Sequence, residues 1–298
     1  MQKDTYWKGI IEDLAEDLLH FFFPDYVDQI DFSREIEFMD KELDQFVPDA
    51  EAKGRRVDKL LKVWLRNGAE AWFLIHIEVQ GYRDTEFGLR MFQSAYRIME
   101  KFGKPLVALV IYTDTDRRGH VSEYRTSFLG TKLSYEFNTY VVMDHPLEEL
   151  AASDNIFAAV LEAAGTQILH GASDKEKSRL SLDLARRLLQ NGWPRSKVVR
   201  ILNFIRYTIR LDKEEESLNF EQTFESITKH KGPMGIQEVI VEEIKQEALE
   251  KGQTSTKRDI ILKGHAQGLP VELLSKLTDW PEEKVKGIIA ENVSAQPD

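Results

Sequence analysis

The sequence predicts an α/β fold: a sheet flanked by helices, followed by an all-helical carboxy-terminal region. Three observations carry this. Residues 57–65 and 71–80 alternate in the two-residue period of strands on either side of Asn67-Gly68. Residues 106–113 form a continuous apolar run suited to a strand buried on both faces. Beyond Pro146 the apolar spacing turns helical and stays so.

In chain order, residues 7–23 place Ile10, Ile11, Leu14, Leu18 and Phe22 on one helical stripe, which Pro24 ends. The two alternating runs that follow make a hairpin. Residues 85–101 read as a helix with Phe87, Met91, Ala95, Ile98 and Met99 inward, stopped by Gly103-Lys104-Pro105. The apolar strand comes next, then another strand at 135–143. Helices are expected at 147–154, 157–170, 175–191 and 194–211, then a charged helix at 237–251 and a hinge at 252–256. Residues 257–291 should hold two or three short helices, with Pro270 and Pro281 at or near a first helical turn. The expected organisation is therefore 1–146 as an α/β core, 147–236 as a helical region and 237–298 as a helical tail.

Composition removes several classes of function. The 298-residue chain has no cysteine, which excludes disulfide scaffolds, cysteine zinc fingers and thiol catalysis and suits a cytoplasmic setting. The longest apolar run, 106–112, is far short of the roughly 20 residues of a membrane span, and the amino terminus lacks a basic-then-apolar leader. No Gly-x-Gly, Walker A loop, Gly-x-Ser-x-Gly elbow or His-Glu-x-x-His is present. Net charge is −11, but unevenly spread: residues 1–58 carry 16 acids against 7 bases, whereas residues 175–210 carry 10 bases against 2 acids. Two readings of this basic island stand: a phosphate-contacting face, with Arg200, Arg206 and Arg210 flanking the buried stripe of their helix, or a solvated surface and internal mate for the acidic segments.

The hairpin carries the sharpest chemical signal. Matching its apolar faces pairs Val63 with Phe73 and Leu61 with Ile75, sets Trp64 across from Trp72 and Arg66 across from Glu70, and brings Asp58 opposite Glu78. This register calls for a longer or bulged connection in place of a two-residue turn. Two carboxylates facing each other repel unless a cation holds them, and hard oxygen donors favour Mg2+, with Mn2+ or Ca2+ as the other choices. The bland alternative is two unrelated acids at strand ends.

These residues resemble a known family. Asp58 on one strand and Glu78-Val79-Gln80 on the next, followed by a helix with Arg90 and Gln93-Ser94-Ala95-Tyr96, resemble the PD-(D/E)XK nuclease superfamily. Four ordered blocks are similar to its recombination-promoting nuclease (Rpn) branch, also described as transposase-like: 37–43 (EFMDKEL), 55–60 (RRVDKL), 75–81 (IHIEVQG) and 87–92 (FGLRMF). The resemblance covers residues 31–114. It implies a restriction-endonuclease-like mixed sheet flanked by helices and a Mg2+-dependent DNA endonuclease, with Asp58 and Glu78 as metal ligands. Gln80 stands where the superfamily more often has lysine; it can orient by hydrogen bonds but supplies no positive charge.

Supporting positions are Glu37, Arg90, Gln93 and Tyr96, each with an ordinary structural alternative: a solvated acid for Glu37, a core tyrosine with a satisfied hydroxyl for Tyr96. Residues 257–291 resemble the small helical tail of Rpn-type chains, although Asp279-Trp280-Pro281 departs from the usual Gly-Leu-Ser there. Self-association through these helices, giving a homo-oligomer, is weighed above DNA reading by a helix-turn-helix. The expected partner is DNA, without a membrane. The rival functional reading is a non-catalytic nucleic-acid-binding or regulatory module on the same fold.

Overall fold

A computed structural model of the chain describes residues 2–39, 56–78, 86–229, 257–266, 269–278 and 280–294. The expected charged helix at 237–251, the hinge at 252–256, Gln80 and Asp279 lie outside these residues. The fold is mixed α/β, with a five-stranded mixed sheet and many helices. Two compact units divide the chain: Met1–Arg187 with Arg200–Glu221, and Leu188–Val199 with Gln222–Asp298.

Two helices open the first unit, α1 (Gln2–Asp13) and α2 (Ala15–Phe22), where the apolar spacing predicts one. The break is at Leu14, whose φ of −124° and ψ of 29° leave the helical region although no glycine or proline announces it. Four residues of the predicted stripe, Ile10, Ile11, Leu14 and Leu18, are buried, joined by Trp7 and Leu19, whereas Phe22 is only half-buried because the break at Leu14 turns α2 relative to α1.

The sheet follows from β1 (Glu37–Phe38), β2 (Arg56–Trp64), β3 (Glu70–Glu78), β4 (Leu106–Tyr112) and β7 (Asn138–Val141), in spatial order β1-β2-β3-β4-β7. The first three are antiparallel, whereas β4 runs parallel to β3 and β7 parallel to β4. A parallel neighbour needs a crossover, and α3 (Phe87–Phe102) supplies it between β3 and β4. This helix ends at Gly103, whose left-handed φ of 61° lets its N–H reach the Met99 carbonyl at 2.8 Å.

Both faces of the sheet are covered. On one, Leu60, Trp72, Ala108, Val110 and Tyr112 pack against Phe87, Met91 and Ile98 of α3. On the other, Phe73 meets Phe23 edge-on at 5.3 Å, and Lys59, only 1% exposed, forms an ion pair with Glu12 of α1. A lysine buried so deeply is tolerated because its charge is met by a carboxylate.

The hairpin register differs from the expected one. Leu61 pairs with Phe73, Val63 with Ala71, Trp64 with Glu70, Asp58 with His76 and Arg56 with Glu78. Asp58 and Glu78 are therefore diagonal neighbours instead of directly opposite, which raises the expected separation from about 5 Å to about 7–8 Å. The cause is the turn. Leu65 N–H bonds the Ala69 carbonyl at 2.7 Å, Gly68 takes a φ of 83° and the Asn67 side chain accepts from Ala69 N–H at 2.9 Å, so the three-residue loop is 66–68, one position earlier than the 67–69 of the expected register. Alternation fixes only which face a residue takes, and a shift of two residues leaves every face unchanged.

Between β4 and β7 a second hairpin, β5 (Glu123–Phe128) and β6 (Thr131–Glu136), forms a separate two-stranded sheet. The single strand expected at 135–143 is instead shared between β6 and β7, split at the buried Phe137. Its base is held on α3: Tyr124 stacks on Phe92 at 5.7 Å, and a Cβ on Gly88 would lie 2.6 Å from the Glu123 carbonyl oxygen. That close approach requires glycine.

The described elements beyond β7 are helical: α4 (Leu147–Ala151), α5 (Phe157–Ile168), α6 (Asp174–Leu188), α7 (Arg195–Thr208), α8 (Glu214–Lys229), α9 (Lys257–Ala266), α10 (Val271–Thr278) and α11 (Glu282–Ser294). In the second unit Ile261, Leu269, Leu274, Val285 and Ile288 share one apolar cluster with Val199. Pro270 and Pro281 directly precede α10 and α11, and their carbonyls accept the first helical hydrogen bonds from Leu274 and Val285, each at 3.1 Å.

Candidate functional site

One end of the sheet gathers the residues of interest, because β2 begins there while β3, β4 and β7 finish there. Glu78 closes β3 and lies beside Tyr112, the last residue of β4, which in turn pairs with Val141. Asp58 is two positions from Leu60 on β2 and Glu78 six from Trp72 on β3, so both positions belong to the α3 side of the sheet. Phe87 lies 6.0 Å from the Tyr112 ring, bringing the first turn of α3 to this same end. In open α/β sheets the carboxyl ends of parallel strands are where ligands bind.

The supporting positions divide. Arg90 and Gln93, both half-buried, sit in the first two turns of α3, the Arg90 guanidinium 5.5 Å from the Phe87 ring. Tyr96 is exposed, and its hydroxyl donates to Glu100 Oε1 at 2.9 Å; that bond and the glutamate charge raise the phenol above its ordinary value. It is neither a core residue nor at the sheet end. Glu37 pairs with Lys62 at 2.8 Å, four residues along β2 from Asp58 and so roughly 13 Å away along the strand.

Sequence reading passed over the loop after β4. There the Asp114 carboxylate accepts Asp116 N–H at 2.8 Å and meets His120 Nε2 at 3.0 Å, with both side chains more than nine-tenths buried. His120 stacks on Tyr112 with ring centroids 4.3 Å apart. Tyr112 OH donates to the Val121 carbonyl at 2.7 Å and receives Val121 N–H at 3.0 Å, tying the loop back to the strand. Asp116 caps the turn by accepting from Arg118, whose hydrogen bonds hold its carboxyl down at about 2. The legible signal was an acid directly after an apolar strand, Tyr112-Thr113-Asp114, followed by the Asp-Thr-Asp spacing of a side-chain-closed turn.

Five of the ten bases of the basic island are matched by acids within the first unit. Arg200 meets Asp13 at 3.0 Å, Arg206 makes a two-pronged pair with Glu221 at 2.8 and 2.7 Å, and Arg187 binds Glu162. Burial raises the Glu162 carboxyl, and the Arg187 guanidinium opposes that shift. Arg179 and Arg186 share Asp183. Arg210 is exposed, its backbone N–H donating to Gln167 at 2.8 Å. Phosphate contact by Arg200 or Arg206 would have to displace a carboxylate already in place.

Among the described residues, no group of three or more histidine, aspartate and glutamate side chains is placed to hold a metal ion, and no helix is long and apolar enough to cross a membrane. Comparison with family models, curated proteins and solved structures finds no match to this chain.

Proposed function

We propose that the chain is a metal-dependent DNA endonuclease of the PD-(D/E)XK kind, Rpn branch, that acts on phosphodiester bonds. The observation that carries the reading is the place of Asp58 and Glu78: same side of a mixed sheet, neighbouring strands, diagonal register, at the end where β3 and β4 finish. Helices cover that sheet on both faces, which is the architecture the resemblance implies.

Two carboxylates form a hard-oxygen donor set that suits Mg2+, with Mn2+ or Ca2+ as substitutes. Diagonal placement reduces the mutual repulsion of the two carboxylates relative to a directly opposite pair. When bound, the cation supplies Lewis-acid polarisation of a phosphate oxygen and makes its bound water more acidic. Asp58 and Glu78 would hold it, Gln80 would orient neighbouring groups through its amide, and Arg90 at the start of α3 would bring positive charge to the same sheet end. Duplex DNA is the substrate, and recombination-promoting strand breakage is the biological consequence that the Rpn resemblance suggests.

A second reading, a non-catalytic nucleic-acid-binding or regulatory module, is favoured by Gln80 in place of lysine and by the carboxylates already on Arg200 and Arg206. Incubation with supercoiled plasmid separates the two. Wild type should nick in Mg2+ and not in EDTA, and Asp58→Ala and Glu78→Ala should each fall to background with an unchanged or slightly higher melting temperature. Nicking by either variant at the wild-type rate would remove the site assignment, and a wild type inert in both Mg2+ and Mn2+ would leave the second reading.

A further inference from the structure

The outer half of the β5–β6 hairpin stands in solvent: residues 126–132 are all exposed, Phe128 at 74% and Leu129 at 89%. A two-stranded ribbon is marginal in water by itself, so this half is held up by its base. That base is rooted at the sheet end where β3 and β4 finish. The Glu123 carbonyl closes on Gly88 in the first turn of α3, and Val121 exchanges hydrogen bonds with the hydroxyl of Tyr112, the last residue of β4, at 2.7 and 3.0 Å. At the tip Leu129 has a φ of 44°, the left-handed region that suits glycine or asparagine. Backbone strain of this kind collects where a protein meets a ligand, and the exposed Leu129 side chain draws little packing from the fold in return.

The chemistry of the outer half narrows what it meets. Residues 124–135 contain Arg125 and Lys132 and no carboxylate, in a chain of net charge −11. Arg125 is taken up at the base by Glu123 and Glu136, at 2.7 and 2.9 Å, which leaves the outer half with Lys132 and the hydroxyls of Thr126, Ser127 and Thr131 around the two apolar tip residues. A second copy of the chain fits this surface poorly, because Phe128 and Leu129 together offer a few hundred Å² at most, against roughly 800 Å² per partner in a stable interface. A nucleic-acid groove fits it well. From Thr126 to Phe128 the ribbon extends about 7 Å, and about 10 Å with the turn, close to the roughly 8.5 Å depth of the major groove, whose width of about 12 Å admits a two-stranded ribbon.

We infer that the outer half of β5–β6 is an arm that enters the major groove of duplex DNA, an inference that rests on DNA as the proposed substrate. Phe128 and Leu129 meet the apolar edges of the bases, thymine methyls above all, while Lys132 and the three hydroxyls take phosphate oxygens and base edges. The arm binds and orients the duplex and takes no part in breaking a bond. Its rooted base fixes the bound duplex relative to the sheet end.

The test uses the full chain and a fluorescently labelled duplex of mixed sequence, with binding read in EDTA and in Ca2+ and nicking of supercoiled plasmid read in Mg2+. The double variant Phe128→Ser with Leu129→Gly should keep a melting temperature close to wild type and bind about 10-fold or more weakly. Lys132→Gln should lower the slope of log affinity against log salt by about 0.9, the signature of one phosphate contact. The chain has no cysteine, so Leu129→Cys alkylated with an aryl azide should cross-link to bases on illumination, whereas Leu218→Cys on α8, exposed and treated alike, should not. A double variant that binds and nicks as wild type does, an unchanged salt slope in Lys132→Gln, or equal cross-linking from Leu218→Cys each overturns the inference and leaves the nuclease reading intact. A double variant that changes oligomeric mass while keeping wild-type DNA affinity assigns the tip to contact between copies and overturns it too. A wild type that neither binds the duplex nor nicks plasmid overturns the functional reading and this inference with it.

Discussion

The two hairpins of the first unit share a topology and differ in almost everything that holds them together. In β2–β3 the residues Leu60, Leu61, Val63, Trp72 and Phe73 are all buried, between α3 on one face and the amino-terminal helices on the other. In β5–β6 the outer half is exposed, and its tip places Phe128 at 74% and Leu129 at 89% exposure. The turns differ to match. β2–β3 closes through Asn67 and Gly68, residues suited to their backbone, whereas β5–β6 closes through Leu129-Gly130 with φ of 44° and 87°, so a leucine sits where an L side chain is strained. A hairpin packed on both faces draws its stability from burial and its register from the turn. An exposed one must draw both from its turn and its attachment at the base.

Three experiments sharpen this contrast. The largest effect is expected from Leu61→Ala, fully buried in β2, which should cost about 2–5 kcal/mol in urea unfolding, whereas Leu129→Ala at the exposed tip should stay within about 0.5 kcal/mol of wild type. Similar losses from both would mean that the tip is packed after all.

Next is the attachment. A Cβ on Gly88 meets a backbone oxygen that no rotamer change can move, so Gly88→Ala should destabilise by about 1–3 kcal/mol. The loss should also be local: hydrogen exchange should quicken across 124–136 while 57–63 keep their protection. Uniform quickening in both hairpins would show that the second is not held separately through this contact.

The smallest effects belong to the turns and have opposite signs. Gly68→Ala forces a Cβ into a left-handed position and should cost about 1 kcal/mol, while Leu129→Gly relieves such strain at some entropic cost and should gain about 0.5 kcal/mol. If Leu129→Gly destabilised, the leucine side chain would be making a contribution that its exposure hides.

Much of the local structure was legible in the residues. The strand alternation at β2 and β3, the apolar run of β4, the stripe of α3 with Gly103 at its end, and Pro270 and Pro281 before α10 and α11 all express preferences felt within a few residues. The split at Leu14 left no such mark, because no helix breaker stands there. Nor did β5–β6 announce itself, since Leu129 occupies a turn position where asparagine or glycine would have been the signal.

For the candidate site, the sequence by itself determined the residue types and the side of the sheet they share: two carboxylates on consecutive strands of the same alternation, with glutamine two positions beyond the second. Only the tertiary structure decided which residue faces which. Period-two alternation is blind to a shift of two, so the position of the turn at 66–68 set Asp58 against His76 and left it diagonal to Glu78. Partners distant in sequence were equally out of reach. Arg200 on α7 finds Asp13 on α1, and Glu78 comes beside Tyr112 only through the α3 crossover, because such pairings depend on how elements pack and not on any local preference.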